Sequence, residues 1–146
     1  MNIQVHTRIE SLLDRQIDVA RELAAVLESE RDALTGSVPE AVCEKAIQKV
    51  RLLEKFELLE IERRGLFADA GAPSGASVSQ TITQRWRSLM ALLATCRNAN
   101  DTNGLIVNLK QGQIRQLLDI VRGGSPITYG PHGQTFAAAV RPLARA

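Results

Sequence analysis

Between Ile82 and Val121, steps of four and three residues land on Ile82, Trp86, Leu89, Leu93, Cys96, Asn100, Asn103, Val107, Lys110, Ile114, Leu117 and Val121. Apolar side chains hold nearly every stop, and the phase never slips. An a/d heptad seam of this length, beyond the three or four heptads that make the pattern credible, predicts one long helix. As a single rod it would extend roughly 60 Å at about 1.5 Å per residue. No helix buries such a stripe against itself, so partner helices must come from elsewhere.

The rest of the chain is suited to supply them. It has 146 residues, 45% hydrophobic, enough for one domain with a core. Aromatics are only 3% while Leu, Ala, Arg and Glu abound, a profile of helical bundles rather than β-sandwiches. The expected fold class is all-α, an antiparallel helical hairpin packed on a long third helix in a coiled-coil-like bundle, followed by a turn-rich C-terminal tail.

No apolar run approaches the ~20 residues that span a bilayer. Met1 to His6 shows no basic region followed by an apolar block, so no signal peptide is expected. Cys43 and Cys96 have no metal-ligand spacing and read as buried, reduced thiols of a cytoplasmic protein. Charge is uneven. Residues 1–70 carry ten Lys/Arg against fourteen Asp/Glu, and residues 71–146 carry eight against two. This polarity fits an acidic helical pair on a basic third helix, or a basic surface offered to a partner. Nucleic acid is the sharper version of the second reading, but the arginines are scattered and rarely alternate with aromatics.

The first helix is expected over about 3–35, with Thr7 and Glu10 at capping-box spacing and Leu13, Ile17, Ala20, Ala24 and Leu27 along its stripe. Gly36 should end it in a left-handed conformation. Ser37 with Glu40, and Pro39 in the first turn, should start a second helix over about 38–67, antiparallel to the first because the connection is short. Its charged face, with Glu54, Glu57, Glu60 and Glu62, reads as solvated surface. Residues 69–79 are rich in Gly, Pro and Ser and form a loop, with Ser77 and Gln80 placed to cap the third helix over about 79–122. In that helix Asn98 to Gly104 collects poor helix formers. Either the helix turns there, or Asn100 and Asn103 form a polar layer in the seam. The unbroken phase on both sides favours continuity.

Residues 1–122 are thus expected as one helical domain and 123–146 as a tail. Gly123-Gly124-Ser125-Pro126 stops the helix. The stretch from Ile127 to Thr135 reads as consecutive turns, and Phe136 to Val140 as one short helix. Catalytic chemistry finds no support. His6 reads as surface, His132 sits in a turn without a nucleophile at useful spacing, and there is no CxxC, HExxH, GxSxG or phosphate-binding glycine loop. No cofactor or metal site is expected, and the chain is read as a non-enzyme.

Three features resemble the FlgN family of flagellar type III export chaperones. They are a helical pair ending in Glu60, Arg63 and Arg64; Arg85-Trp86 followed by Asn100-x-x-Asn103-Gly104-Leu105; and Tyr129-Gly130-x-x-Gly133-Gln134-Thr135. Thr128 stands where the family pattern has leucine. The resemblance implies a cytoplasmic chaperone, not an enzyme, that binds the hook–filament junction (hook-associated) proteins, prevents their premature assembly and delivers them to the export gate. It places cargo binding toward the C-terminus and gate docking at the tyrosine motif, here Tyr129, Gly130 and Gly133.

The residues fit such a role. A chaperone of filament subunits must lend an apolar stripe to an amphipathic helix. The expected lending surface is Leu105, Ile106, Leu109, Ile114, Leu117, Leu118 and Val121, because two helices of about 30 residues do not cover a third of about 40. The same residues would also complete a bundle core or a homodimer seam. Trp86 reads as core. Two other functions stay open: a structural coiled-coil adaptor that only self-associates, and a nucleic-acid-binding helical protein. No membrane insertion is expected, and a homo-oligomer is compatible with the seam.

Overall fold

The computed structural model describes residues 2–70 and 79–123, and the backbone of two segments at 128–129 and 135–136. Three helices dominate: α1 (Ile3–Thr35), α2 (Pro39–Asp69) and α3 (Gln80–Val121). The fold is an all-α helical bundle in which α1 packs against both other helices. Two compact units divide the chain, Met1–Asn103 and Gly104–Ala146.

The helix ends follow local chemistry, though not always with the residues the sequence suggests. Asn2, not Thr7, caps α1, its Oδ1 accepting the Gln4 N–H at 3.1 Å. Thr7 lies inside the helix and donates to the Ile3 carbonyl instead. Gly36 does end α1, but with φ −78° rather than in the left-handed region. Glycine is needed there for closeness: a Cβ would stand 3.1 Å from the Asp32 carbonyl oxygen. The left-handed residue of the turn is Ser37, at φ 55°. Val38, without a side-chain cap, precedes Pro39 in the first turn of α2. Ser79 caps α3 by accepting the Ile82 N–H at 3.2 Å. The expected cap Ser77 and most of the 69–79 loop lie outside the described residues.

In the Met1–Asn103 unit the core is organised around α1, not around the seam of α3. α1 buries twelve residues, α2 two and α3 four. Its stripe is wide enough to serve two neighbours. Leu12 and Val19 meet Leu59, with Leu52, Phe56 and Leu66 closing over them. Ile9, Leu13, Ile17 and Ala20 meet Ile82 and Leu89. Leu23 and Leu27 meet Cys96, whose Sγ donates to the Ala20 carbonyl. Burial pushes the Cys96 thiol pKa up, which keeps it protonated. Cys43, by contrast, is exposed. His6 is half-buried rather than on the surface, and its Nε2 has no hydrogen-bond partner.

The acids of α1 are less solvated than their spacing suggests. Arg85 of α3 donates to Asp14 at 2.8 Å and lies 3.7 Å from Glu10, while Thr81 donates to Glu10 at 2.6 Å. The hydrogen bond to Asp14 holds the Arg85 pKa above its usual value. An acidic first helix thus does meet a basic third helix at this point.

α3 is continuous through Asn98–Gly104. Asn103 is 2% exposed, and its amide donates to the Leu27 carbonyl and to Glu30 Oε1, both at 2.9 Å. Arg31 donates to its Oδ1 at 3.1 Å. Lys49 of α2 completes the layer, donating to Glu30 and to Asn100 Oδ1 at 3.0 Å. Every partner of this buried polar group is met, so the layer specifies register at small cost. Asn103→Ala would leave the Leu27 carbonyl and Glu30 short of a donor. It is expected to cost about 1–3 kcal/mol in urea unfolding.

In the Gly104–Ala146 unit, α3 continues to Val121, and Thr128–Tyr129 pairs antiparallel with Thr135–Phe136. Residues 127 and 130–134 lie outside the described residues; Thr128, Tyr129 and Thr135, expected among consecutive turns, are instead strand residues of a two-residue ladder. Phe136 is in its second strand rather than at the head of a helix, and the remainder of the expected 136–140 helix lies outside the described residues.

Candidate functional site

Glu60 does not belong to a solvated face. Gln16, fully buried on α1, donates to Glu60 Oε2 at 2.9 Å. Arg63, 7% exposed, donates to Glu60 at 2.7 and 2.8 Å and to Gln16 Oε1 at 3.2 Å. Arg64 adds a further bond to Glu60 at 2.7 Å. The Arg63 guanidinium also lies 4.7 Å from the Trp86 ring centroid and 5.7 Å from that of Phe67. Trp86 is 39% exposed, so it is a lid on this cation rather than core.

Burial alone would raise the Glu60 pKa. Hydrogen bonds from Arg63 and Gln16, the Arg63 charge and the Arg64 bond outweigh burial and lower it to about 2. A folded-state pKa below the unfolded value stabilises the fold above pH ~4.5, and that stabilisation is lost as pH falls from 4.5 toward 2. About 2–3 kcal/mol should disappear across this window, after allowance for the exposed Arg64. Urea midpoints measured between pH 6 and pH 2.5 would show the loss, and Glu60→Gln should flatten it.

α3 beyond Asn103 presents a different chemistry. Its buried residues are Ile82, Leu89, Cys96 and Asn103, so none lies after the polar layer. Six residues of the expected lending surface, Leu105, Leu109, Ile114, Leu117, Leu118 and Val121, are exposed, and Ile106 is half-buried. Leu117 is 62% and Val121 82% exposed. Ile120, 65% exposed, joins them and is a residue that the sequence reading did not include. Leu105 and Leu109 face away from Ile114 and Leu118, as their helical angles require. The segment is apolar around most of its circumference, the pattern of a helix meant to be covered. Arg115 and Arg122 stand beside it with no acid in salt-bridge range among the described residues.

The Met1–Asn103 unit carries open clefts of its own. One of about 330 Å³ is lined by Leu23, Leu27, Leu53, Leu93 and Cys96, with Lys49, Arg97 and Asn100 at its edge. Of the expected docking motif, Tyr129 pairs with Thr135, while Gly130 and Gly133 lie outside the described residues. Among the described residues no three His, Cys, Asp or Glu side chains come together to hold a metal ion, and no helix is long and apolar enough to cross a membrane.

The family model described as FlgN protein covers residues 1–136. No curated protein and no solved structure matches the chain. The family match spans all three helices and reaches the second strand of the small ladder. This chain belongs to the FlgN family of flagellar export chaperones.

Proposed function

We propose that this chain is a cytoplasmic chaperone for the hook–filament junction proteins, which it holds before export and presents to the export gate. The observation that carries this reading is the uncovered apolar end of α3, Leu105 to Val121. Subunits that polymerise through terminal helices expose amphipathic stripes before assembly. An apolar helix end of about five turns is a matching surface, in the manner of helix-in-groove recognition. Cargo contacts are assigned to Leu105, Ile106, Leu109, Ile114, Leu117, Leu118 and Val121. Gate docking is assigned to Tyr129, Gly130 and Gly133, which form a separate motif so that cargo and gate can be engaged together.

The test is calorimetry of the purified chain against the terminal helical segments of the two junction proteins. Micromolar or tighter binding, with a negative heat-capacity change from apolar burial, is the expected result. Absence of binding to both segments would overturn the reading, as would binding that survives both Leu117→Asp and deletion after Gly123.

A further inference from the structure

Glycine is spread unevenly over the helices. α1 contains none in its 33 residues, and α2 contains one, Gly65. α3 contains two, Gly104 and Gly112, and both fall after the polar layer at Asn103. In a helix interior, a glycine lowers the helix–coil equilibrium constant about four- to five-fold against alanine. Neither glycine of α3 is there for space or for backbone conformation. A Cβ at Gly104 or at Gly112 would meet nothing within 4 Å, and neither has a positive φ. Gly65 is equally open, but its neighbours hold that part of α2 in place: Arg63 donates to Gln16 of α1, and Leu66 and Phe67 pack against the core. No such support reaches Gly104 and Gly112, since no residue of α3 after Asn103 is buried. Val107 and Asn108, between them, are weak helix formers as well.

We propose that Gly104 and Gly112 are a release device: they hold residues 104–121 near the helix–coil balance in the free chain, so that a partner orders this segment as it binds and lets go of it readily. Together they lower the statistical weight of the helix about 15- to 30-fold relative to alanine at both sites. For a helical stretch this short, that is enough to move it from mostly formed to partly melted. A partner that needs the helical form then binds with an affinity reduced by the fraction of chains in that form. The apolar surface of Leu105, Leu109, Ile114 and Leu117 can thus be selective without being tight. A chaperone that must surrender its cargo at the export gate requires that combination; this part of the inference rests on the chaperone reading.

The helix–coil balance is read without cargo, from the backbone carbon chemical shifts of the full chain by NMR. Helical shifts are expected to fall off after Asn103 in the unmodified chain. Gly104→Ala with Gly112→Ala should bring residues 104–121 close to the values of α1. Full helical shifts beyond Asn103 in the unmodified chain overturn the proposal, and so do reduced shifts that the double variant leaves unchanged. The binding arm uses the terminal helical segments of the two junction proteins. Affinity should rise by the same factor as the helical population read from the shifts, about three-fold for a segment one-third helical and about ten-fold for one that is one-tenth helical. The gain should appear mainly as slower dissociation. Gly65→Ala is the control and should leave affinity where it is. Equal tightening by Gly65→Ala, or affinity that stays put while the helical population rises, overturns the release role. If the unmodified chain binds neither segment, the chaperone reading fails, and the shifts still decide the helix–coil claim by themselves.

Discussion

Replacing Glu60 by alanine is expected to destabilise the protein by about 3–5 kcal/mol, because it strands a buried guanidinium. Arg63 is 7% exposed and donates its two shortest hydrogen bonds to Glu60. Gln16 would keep one bond to Arg63, at 3.2 Å, but would lose the acceptor of its own amide. The remaining support for the charge is the faces of Trp86 and Phe67, together worth about 1–2 kcal/mol at most. The melting temperature should fall by roughly 10–15 °C. Replacing the pair together, Glu60→Leu with Arg63→Met, should cost clearly less than Glu60→Ala alone, since no uncompensated charge remains. A double variant as unstable as the single one would show that packing around these side chains, not the ion pair, sets their cost.

Leu117→Asp should have the opposite profile, with a large effect on binding and almost none on folding. Leu117 is 62% exposed in the free protein, so exchanging it for a charge should change unfolding free energy by no more than about 0.5 kcal/mol. In a complex that covers this face, the same carboxylate would be driven out of water without a partner. That penalty, added to the lost apolar burial, amounts to about 3 kcal/mol or more, or at least a 100-fold loss of affinity for a junction-protein helix. Calorimetry with the junction segments measures the binding side, and urea unfolding the folding side. A variant with impaired folding would mean that Leu117 belongs to a core. Unchanged affinity would move the cargo surface elsewhere, with the open cleft at Leu53 and Leu93 the next surface to mutate.

Helix boundaries were largely legible in the chain because they depend on neighbours in sequence. Pro39, Gly36 and the Gly123 turn act over a few residues, and the ends of all three helices fall within about two residues of where those signals put them. The role of each helix was less legible. A heptad phase says where the apolar stripe lies, not which faces another helix will cover. The seam of α3 is the most regular pattern, yet α1 is the helix enclosed by two neighbours, and only the first part of the seam is buried. Continuity through Asn98–Gly104 was readable from the phase, and the polar layer from Asn100 and Asn103 falling on the seam. Their partners Glu30, Arg31 and Lys49 were not, because those contacts join residues remote in sequence. Glu60 escaped for the same reason: its spacing to Arg63 and Arg64 suggests an ordinary surface pair, and the buried donor Gln16 lies 44 residues upstream.

The burial pattern on either side of Asn103 also predicts two rates of amide exchange. Amides of α1, flanked on both sides by buried apolar contacts, open to solvent only when the whole unit unfolds. Among the described residues no side chain after Asn103 is buried, and an isolated helical stretch of this length is marginal in water. The last turns of α3 are therefore expected to exchange their amide hydrogens faster than α1 does. A partner that covered Leu105 to Val121 would be expected to order these turns as well as bury them. Slowed hydrogen exchange confined to those turns is the signature that a bound partner would leave.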